Sequence, residues 1–154
     1  MSLRITAILS AVTAVGIASA AVVDTHAPDQ AKGPVVTVYK SPTCGCCGKW
    51  VEHMKAAGFQ VRTVDLDDLT EVKQTSGVPM KLRTCHTGLV EGYVIEGHVP
   101  ADLVKRLLAE KPKMTGMAVP GMPMGSPGMD GPTKDGYEVL LFDKTGKTTV
   151  YAKR

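Results

Sequence analysis

The four cysteines are the residues of this 154-residue chain whose type and spacing could do chemistry. Cys44, Cys46 and Cys47 fall within four consecutive residues, and Cys85 follows much later in the chain. Several thiolates that meet at one point are soft donors, and they select Cu(I), Zn(II) or iron–sulfur clusters over hard cations. The short segment contains both a C-x-C and a C-x-x-C relation, so three sulfur atoms can reach one site.

The crowding of three thiols favours cuprous copper among these metals. A structural zinc site is a closed tetrahedron, which three donors in so short a segment supply awkwardly. Cu(I) needs only two or three ligands, and thiolates can bridge several such ions, so we expect a multinuclear Cu(I)–thiolate cluster. Four cysteines in an exported protein would ordinarily indicate two disulfides. Here a bridge inside the segment is expected to be strained, which leaves a bridge to Cys85 and two spare thiols.

A thiol–disulfide oxidoreductase is the main alternative. Cys44 and Cys47 have the C-x-x-C spacing of redox pairs. Cys46, which lies between them, would offer a competing partner at every turnover. No catalytic residue is assigned, and a copper oxidoreductase that cycles the metal between Cu(I) and Cu(II) stays open. A structural zinc or iron–sulfur domain fits the ligand spacing less well.

A segment rich in methionine, glycine and proline, residues 113–130, offers further soft donors. Thioethers are neutral ligands that bind Cu(I) among biological metals. The glycine and proline content predicts a long loop without regular structure. Metal contact or shielding of the site and simple packing are both open for Met117, Met122, Met124 and Met129.

The histidines are weaker candidates as ligands. His86 follows Cys85 directly and could add a nitrogen ligand, but neighbouring residues of a strand face opposite sides unless the strand bulges. His53 and His98 are expected on the surface. Trp50, in the first helical turn after the cysteines, is expected to be a packing residue that shields the cluster.

The predicted secondary structure places the cysteine segment between a strand and a helix. Apolar patterning predicts strands at 35–39 and 59–66, helices at 48–57 and 68–74, a hairpin at 84–96 and a helix from 100 to about 111. This order is found in thioredoxin-like domains, where a cysteine motif follows the first strand and a proline precedes the hairpin strand. Cys44–Cys47 and Pro79 are expected to occupy these two places. We therefore predict an α/β fold, a thioredoxin-like mixed sheet with flanking helices, plus the Met-rich loop and a C-terminal β-hairpin.

The first residues indicate export. Arg4 precedes an apolar run that ends in Ala18-Ser19-Ala20, the form read by signal peptidase, so residues 1–20 are predicted to be a cleaved signal peptide. An uncleaved membrane anchor is disfavoured because the run is short and weakly hydrophobic. Residues 21–34 are then a flexible leader, and 35–154 form one copper-binding domain that includes the Met-rich loop 113–130 and the hairpin 137–152. The net charge of +3 is too small to imply nucleic acid or stable membrane association.

Several short motifs resemble the CopG-type copper-resistance proteins, a thioredoxin-like metal-binding family formerly filed as a domain of unknown function. They are YKSPTCGCC at 39–47, GVP at 77–79, CHT at 85–87, GYVIEGHVP at 92–100 and GMPMGSPGM at 121–129. The resemblance implies a periplasmic protein of copper resistance or homeostasis, often encoded beside copper-efflux systems, which are the expected partners besides copper itself. It also implies a cysteine-bridged multicopper cluster on Cys44, Cys46, Cys47 and Cys85. Storage, transfer and redox handling of copper stay open.

Overall fold

The structure is a computed structural model that describes residues 33–154. The predicted signal peptide and all but the last two residues of the predicted leader lie outside the described residues. The elements are β1 Val35–Lys40, α1 Gly45–Ala56, β2 Gln60–Asp65, α2 Thr70–Thr75, a 3₁₀ helix Met80–Leu82, β3 His86–Val90, β4 Tyr93–Glu96, α3 Ala101–Glu110, β5 Gly116–Ala118, β6 Glu138–Phe142 and β7 Thr148–Lys153. No helix in this range is long and apolar enough to span a bilayer.

The strands of residues 33–154 form one mixed sheet in the order β2-β1-β3-β4-β5-β6-β7. β1 is parallel to β2, and β4 is parallel to β5, because a helical connection separates the strands of each pair. The other neighbouring strands are antiparallel. The predicted mixed sheet with flanking helices is confirmed, as is the predicted order of elements up to α3.

Both predicted hairpins are present. β3 and β4 are joined by Glu91 and Gly92, whose φ angles of 46° and 83° are those of a two-residue turn that suits the twist of antiparallel strands. In the C-terminal hairpin, the Asp143 carboxylate accepts the backbone N–H groups of Thr145 and Lys147 at 2.8 and 3.0 Å. These local bonds explain why composition alone located the turns.

The prediction that residues 113–130 lack regular structure is wrong in part. Strand β5 lies inside this segment and pairs with β4 and β6. A side chain at Gly116 would collide with the Val94 carbonyl oxygen and the Phe142 ring, so glycine permits this close pairing. Met117 is fully buried in the hydrophobic core. The sequence around β5 does not predict a strand, because the hydrogen-bond partners of β5 lie in β4 and β6, far from it in the chain.

Pro79 does not take the place predicted for it. It begins the 3₁₀ helix Met80–Leu82, and no peptide bond of residues 33–154 is cis. The residue directly before β3 is Cys85. The position before the hairpin strand, which faces the cysteine segment, is therefore occupied by Cys85 rather than by a proline.

The core lies where α1 and α3 pack their apolar faces on the sheet. α1 contributes Trp50, Val51 and Met54, and β1 contributes Val36 and Val38; the prediction that Trp50 is a packing residue is confirmed. Six polar side chains are also buried among the described residues: Lys73, His86, Thr87, Glu96, His98 and Ser126. Most of them lie near the start of β3 and the end of β4, and buried polar groups need hydrogen-bond partners or a functional reason.

Candidate metal centre

Strand pairing brings several chain segments to one end of the sheet, here called the site end. Lys40, at the end of β1, lies opposite His86, at the start of β3. Glu96, at the end of β4, lies opposite Thr87 and beside Ala118, at the end of β5. The segments that meet at the site end are therefore the one after β1, with Cys44, Cys46 and Cys47, the one before β3, with Cys85, the one after β4, with His98, and the one after β5, with the methionines.

The first turn of α1 presents three sulfur atoms. Cys44 is the N-cap residue, with an extended backbone, and its sulfur accepts the backbone N–H of Cys47 at 3.3 Å. The N–H of Cys44 is itself held by the Ser41 carbonyl at 3.2 Å. Cys46 and Cys47 occupy the first turn, and Cys47 is fully buried. The helix begins three residues before the predicted Gly48, so the cysteines belong to the helix terminus itself.

All four sulfur atoms converge. The sulfurs of Cys44, Cys46, Cys47 and Cys85 lie within 4.8 Å of one another, and those of Cys44 and Cys46 are 3.5 Å apart. The predicted meeting of a distant hairpin thiol with the cysteine segment is confirmed. A cluster of soft donors at this spacing has the composition of a site for a soft metal ion.

The expectation about disulfides is wrong. Cys44 and Cys47 form a disulfide with Cα atoms 5.3 Å apart, while Cys46 and Cys85 are free thiols. An extended N-cap residue and the residue three positions later face each other across the first helical turn, so a bridge there has an ordinary Cα separation. Two of the four sulfurs are thus unavailable as thiolates until this disulfide is reduced.

Cys85 has two imidazole neighbours. Its sulfur lies 3.2 Å from His98 Nε2 and 3.3 Å from His86 Nδ1. Burial, together with the neighbouring Cys46 sulfur, raises the pKa of the Cys85 thiol to about 12. The thiol is therefore protonated at neutral pH, and a metal ion that binds here must displace its proton.

The side chain of His86 points at the site, contrary to the expectation from strand alternation. Alternation does not apply because Cys85 precedes β3 rather than belonging to it. The His86 ring is fully buried, with its centroid 4.5 Å from that of Trp50. Burial lowers the pKa of His86 to about 3, so the ring is neutral and offers a lone pair.

The expectation that His98 lies on the surface is also wrong. His98 is fully buried, and its Nδ1 lies 2.8 Å from the carbonyl oxygen of Pro127. A carbonyl can only accept, so Nδ1 donates and the lone pair of Nε2 faces Cys85, the arrangement that carbonyl partners give metal-binding histidines. Burial also lowers the pKa of His98. The predicted hairpin could have indicated this position. In an antiparallel hairpin the residue before the first strand, here Cys85, lies near the residues after the second strand, here His98.

His53 serves the fold. Its Nε2 accepts the backbone N–H of Ala101 at 3.0 Å and so satisfies a free donor at the start of α3. The side chain is half-buried rather than on the surface.

The Met-rich segment crosses directly over the cysteine turn. A Cβ atom placed on Gly128 would lie 2.7 Å from the Cys46 carbonyl oxygen and 2.9 Å from the backbone nitrogen of Trp50. An ion pair of 3.3 Å between Lys49 and Asp130 joins the same segment to α1. The segment therefore covers the first turn of α1.

The four candidate methionines divide into two groups. Met117 lies in β5 and packs in the core, which explains its side chain without a metal. Met122, Met124 and Met129 follow β5 in the covering segment, where Met122 is 42% exposed and the other two are half-buried. These three, unlike Met117, therefore lie outside the core.

Replacing Gly128 by alanine should lift the covering segment. Gly128 and Gly121 have φ angles of +84° and +77°, so alanine costs about 1–2 kcal/mol at either position. The collision with α1 should cost Gly128→Ala a further 1–3 kcal/mol, roughly the range for overpacking. Gly121→Ala is the matched control, because no described atom lies within 4 Å of its new methyl group. Urea unfolding and the rate of Cys46 labelling by a thiol reagent measure both effects, and equal behaviour of the two variants would contradict the covering role.

The fold and the sulfur cluster define a thioredoxin-like protein with a candidate soft-metal centre, and the comparisons with known proteins agree. A family model described as "Protein of unknown function, DUF411" matches residues 82–129. A solved structure named "Copper resistance protein copG- Form 2" is 40% identical, with a TM-score of 0.75, over 79% of this chain and 98% of that one. A second solved structure, named "Copper resistance protein copG- Form 1", is also 40% identical, with a TM-score of 0.73, over 78% of this chain and 96% of that one. No curated protein matches. The chain belongs to the CopG family of copper resistance proteins.

Proposed function

We propose that this protein binds copper as Cu(I) on its four cysteines and serves copper resistance or homeostasis. The observation that carries the proposal is the convergence of four sulfurs within 4.8 Å. Two thiolates that bind one ion through bonds of about 2.3 Å, the Zn–S length, lie at most about 4.6 Å apart, so sulfurs within 4.8 Å of one another need only small shifts to share ions. The names of the two solved relatives support copper rather than another soft metal.

Charge balance favours several ions per chain. If all four cysteines bind the metal as thiolates, they carry four negative charges, and a single Cu(I) would leave about three of these charges uncompensated in a partly buried site, which is costly. Each additional Cu(I) neutralises one more. The neutral rings of His86 and His98 are the proposed nitrogen ligands near Cys85, because they add donors without adding charge.

The covering segment is proposed to shield the bound copper. Met122, Met124 and Met129 provide thioethers that can contact Cu(I) or exclude water from it. Met117 is left out of the proposed ligand set because it lies in the core. Export to the periplasm, and copper-efflux systems as partners there, are proposed on the N-terminal sequence and the family.

Copper loading should depend on the redox state of Cys44 and Cys47. Their disulfide takes up two electrons and two protons to give two thiols, whose protons are released as the metal binds. Reduced protein titrated with Cu(I) without oxygen should hold more than one copper per chain, and the disulfide form at most about half as much, since it offers half the thiols. Competition with a coloured Cu(I) chelator measures both. Equal loading of the two forms, or no more than one copper in the reduced form, would contradict the cluster.

A thiol–disulfide oxidoreductase is the second candidate, favoured by the disulfide between Cys44 and Cys47 beside a free Cys46. The reduced Cys44 and Cys47 thiols could also pass two electrons to two Cu(II) ions, which gives two Cu(I), the Cys44–Cys47 disulfide and two protons released to solvent. Cys46→Ser separates the candidates. It should lose copper if the cluster is the function, whereas disulfide-reducing activity that persists without metal would support the redox enzyme.

A further inference from the structure

A buried ion pair stands next to the candidate metal centre without belonging to it. Lys73, on α2, and Glu96, at the end of β4, are joined at 2.7 Å, with side chains only 8% and 0% exposed. Every other ion pair of the described residues has at least one well-exposed partner. Buried charges are tolerated only when they are paired and hydrogen-bonded, and apolar replacements often stabilise a protein as well or better. The pair therefore calls for an explanation other than stability.

The Glu96 carboxylate holds the two residues that flank Cys85 and His86. Its Oε1 accepts the backbone N–H of Thr84 at 2.6 Å and the Thr84 hydroxyl at 3.2 Å. Its Oε2 accepts the hydroxyl of Thr87 at 2.7 Å. One carboxylate thus fixes both ends of a two-residue segment that carries candidate ligands.

The Cys85 end of this segment needs such a support because strand pairing reaches only its second residue, His86. Cys85 lies between the 3₁₀ helix and β3, so the hydrogen-bond ladder of the sheet begins only at His86. Gly97 completes the arrangement, since a Cβ there would lie 2.6 Å from the Thr84 hydroxyl. The chain approaches closely at this point only because a glycine follows Glu96.

Lys73 makes the carboxylate compatible with a thiolate site. An unpaired carboxylate would repel nearby thiolates and would itself be destabilised by burial. The Lys73 ammonium neutralises it and also donates to the Thr87 hydroxyl at 3.0 Å. The ion pair therefore holds the backbone without adding net negative charge beside the sulfurs.

We propose that Glu96, with Lys73 as its counter-ion, is a positioning residue that sets the Cys85 sulfur against the cysteines of α1. The proposal rests on the proposed copper function for its consequence, which is copper affinity. Its geometric part stands on the contacts of Glu96 with Thr84 and Thr87 alone.

Two variants test it. Glu96→Gln keeps the shape but leaves the Lys73 charge unpaired, so the fold itself can suffer. Lys73→Met with Glu96→Leu removes both charges and so avoids an unpaired ammonium, but it leaves the Thr84 N–H and the Thr87 hydroxyl without their acceptor. The double variant should therefore melt above Glu96→Gln and stay folded during the titration, yet bind Cu(I) roughly 10–100-fold more weakly than the unsubstituted protein, the loss typical when an outer partner of a ligand is removed. Its thiolate-to-copper absorption bands should shift as well. If the role of Glu96 were purely structural, the copper affinity of the double variant would recover together with its melting temperature, relative to Glu96→Gln.

A metal-free measurement separates this proposal from the copper function. In a Cys44→Ser/Cys47→Ser background, diamide can oxidise only Cys46 and Cys85 to a disulfide, at a rate set by how often the two sulfurs meet. The rate should fall several-fold when the Lys73→Met/Glu96→Leu changes are added. An unchanged rate together with unchanged copper affinity would overturn the positioning role. A slower rate in a protein that binds no copper would support positioning and overturn only the copper function.

Discussion

Replacing Cys85 by serine should abolish the copper cluster. Cys85 is the one sulfur of the four that comes from outside the α1 turn, and two of the remaining three form a disulfide when oxidised. We expect reduced Cys85→Ser protein to hold no more than one Cu(I). Its affinity should fall by more than about 100-fold, since loss of an outer partner alone costs about 10–100-fold. An anaerobic competition titration measures both quantities.

Thr84→Ser is the matched control for this variant. It changes the neighbouring residue but keeps the hydroxyl and backbone N–H that Glu96 accepts, so copper binding should stay near that of the unsubstituted protein. Far-ultraviolet circular dichroism shows whether each variant is folded. A folded Cys85→Ser protein with unchanged copper stoichiometry would remove the basis of the proposed four-sulfur site.

Replacing Trp50 by alanine should produce the largest loss of stability. Trp50 is fully buried, packs on His86 with ring centroids 4.5 Å apart, and donates its indole N–H to the Val99 carbonyl at 2.8 Å. Truncating a buried tryptophan typically costs about 3–5 kcal/mol, a large share of a total unfolding free energy of about 5–15 kcal/mol. Urea unfolding of the metal-free protein measures the change.

Trp50→Phe separates packing from hydrogen bonding. Phenylalanine keeps an aromatic ring beside His86 but leaves the Val99 carbonyl without its donor, which should cost about 1–3 kcal/mol. The alanine variant should therefore be clearly less stable than the phenylalanine variant. If Trp50→Ala lost less than about 1 kcal/mol, the ring would not be the packing element that it is taken to be.

Copper binding and thiol–disulfide exchange, the two candidate functions, use the same sulfur atoms. Copper binding needs the reduced cysteines, whereas thiol–disulfide exchange cycles between the reduced cysteines and the disulfide. The disulfide between Cys44 and Cys47 blocks half of the sulfurs and is also a store of two oxidising equivalents. Copper loading would therefore be coupled to disulfide reduction in both proposed functions. This coupling makes the redox state of the purified protein the first variable to control.

Local patterns in the sequence determined much of this protein. The order of elements up to α3 and both hairpins follow from apolar periodicity and turn residues, because those signals act between residues close in the chain. The chemistry of the cysteines also follows from residue type and spacing. Export, which depends on residues outside the described range, stays a prediction.

Tertiary structure alone decided the environment of the site. The position of His98 beside Cys85, the strand β5 within the Met-rich segment, and the contacts of Glu96 all depend on which strands are neighbours. Strand pairing joins residues far apart in sequence, and no local pattern specifies the partner. The Cys44–Cys47 bridge depended in turn on where the helix begins, since an N-cap residue and the residue three positions later face each other only once the first turn has formed.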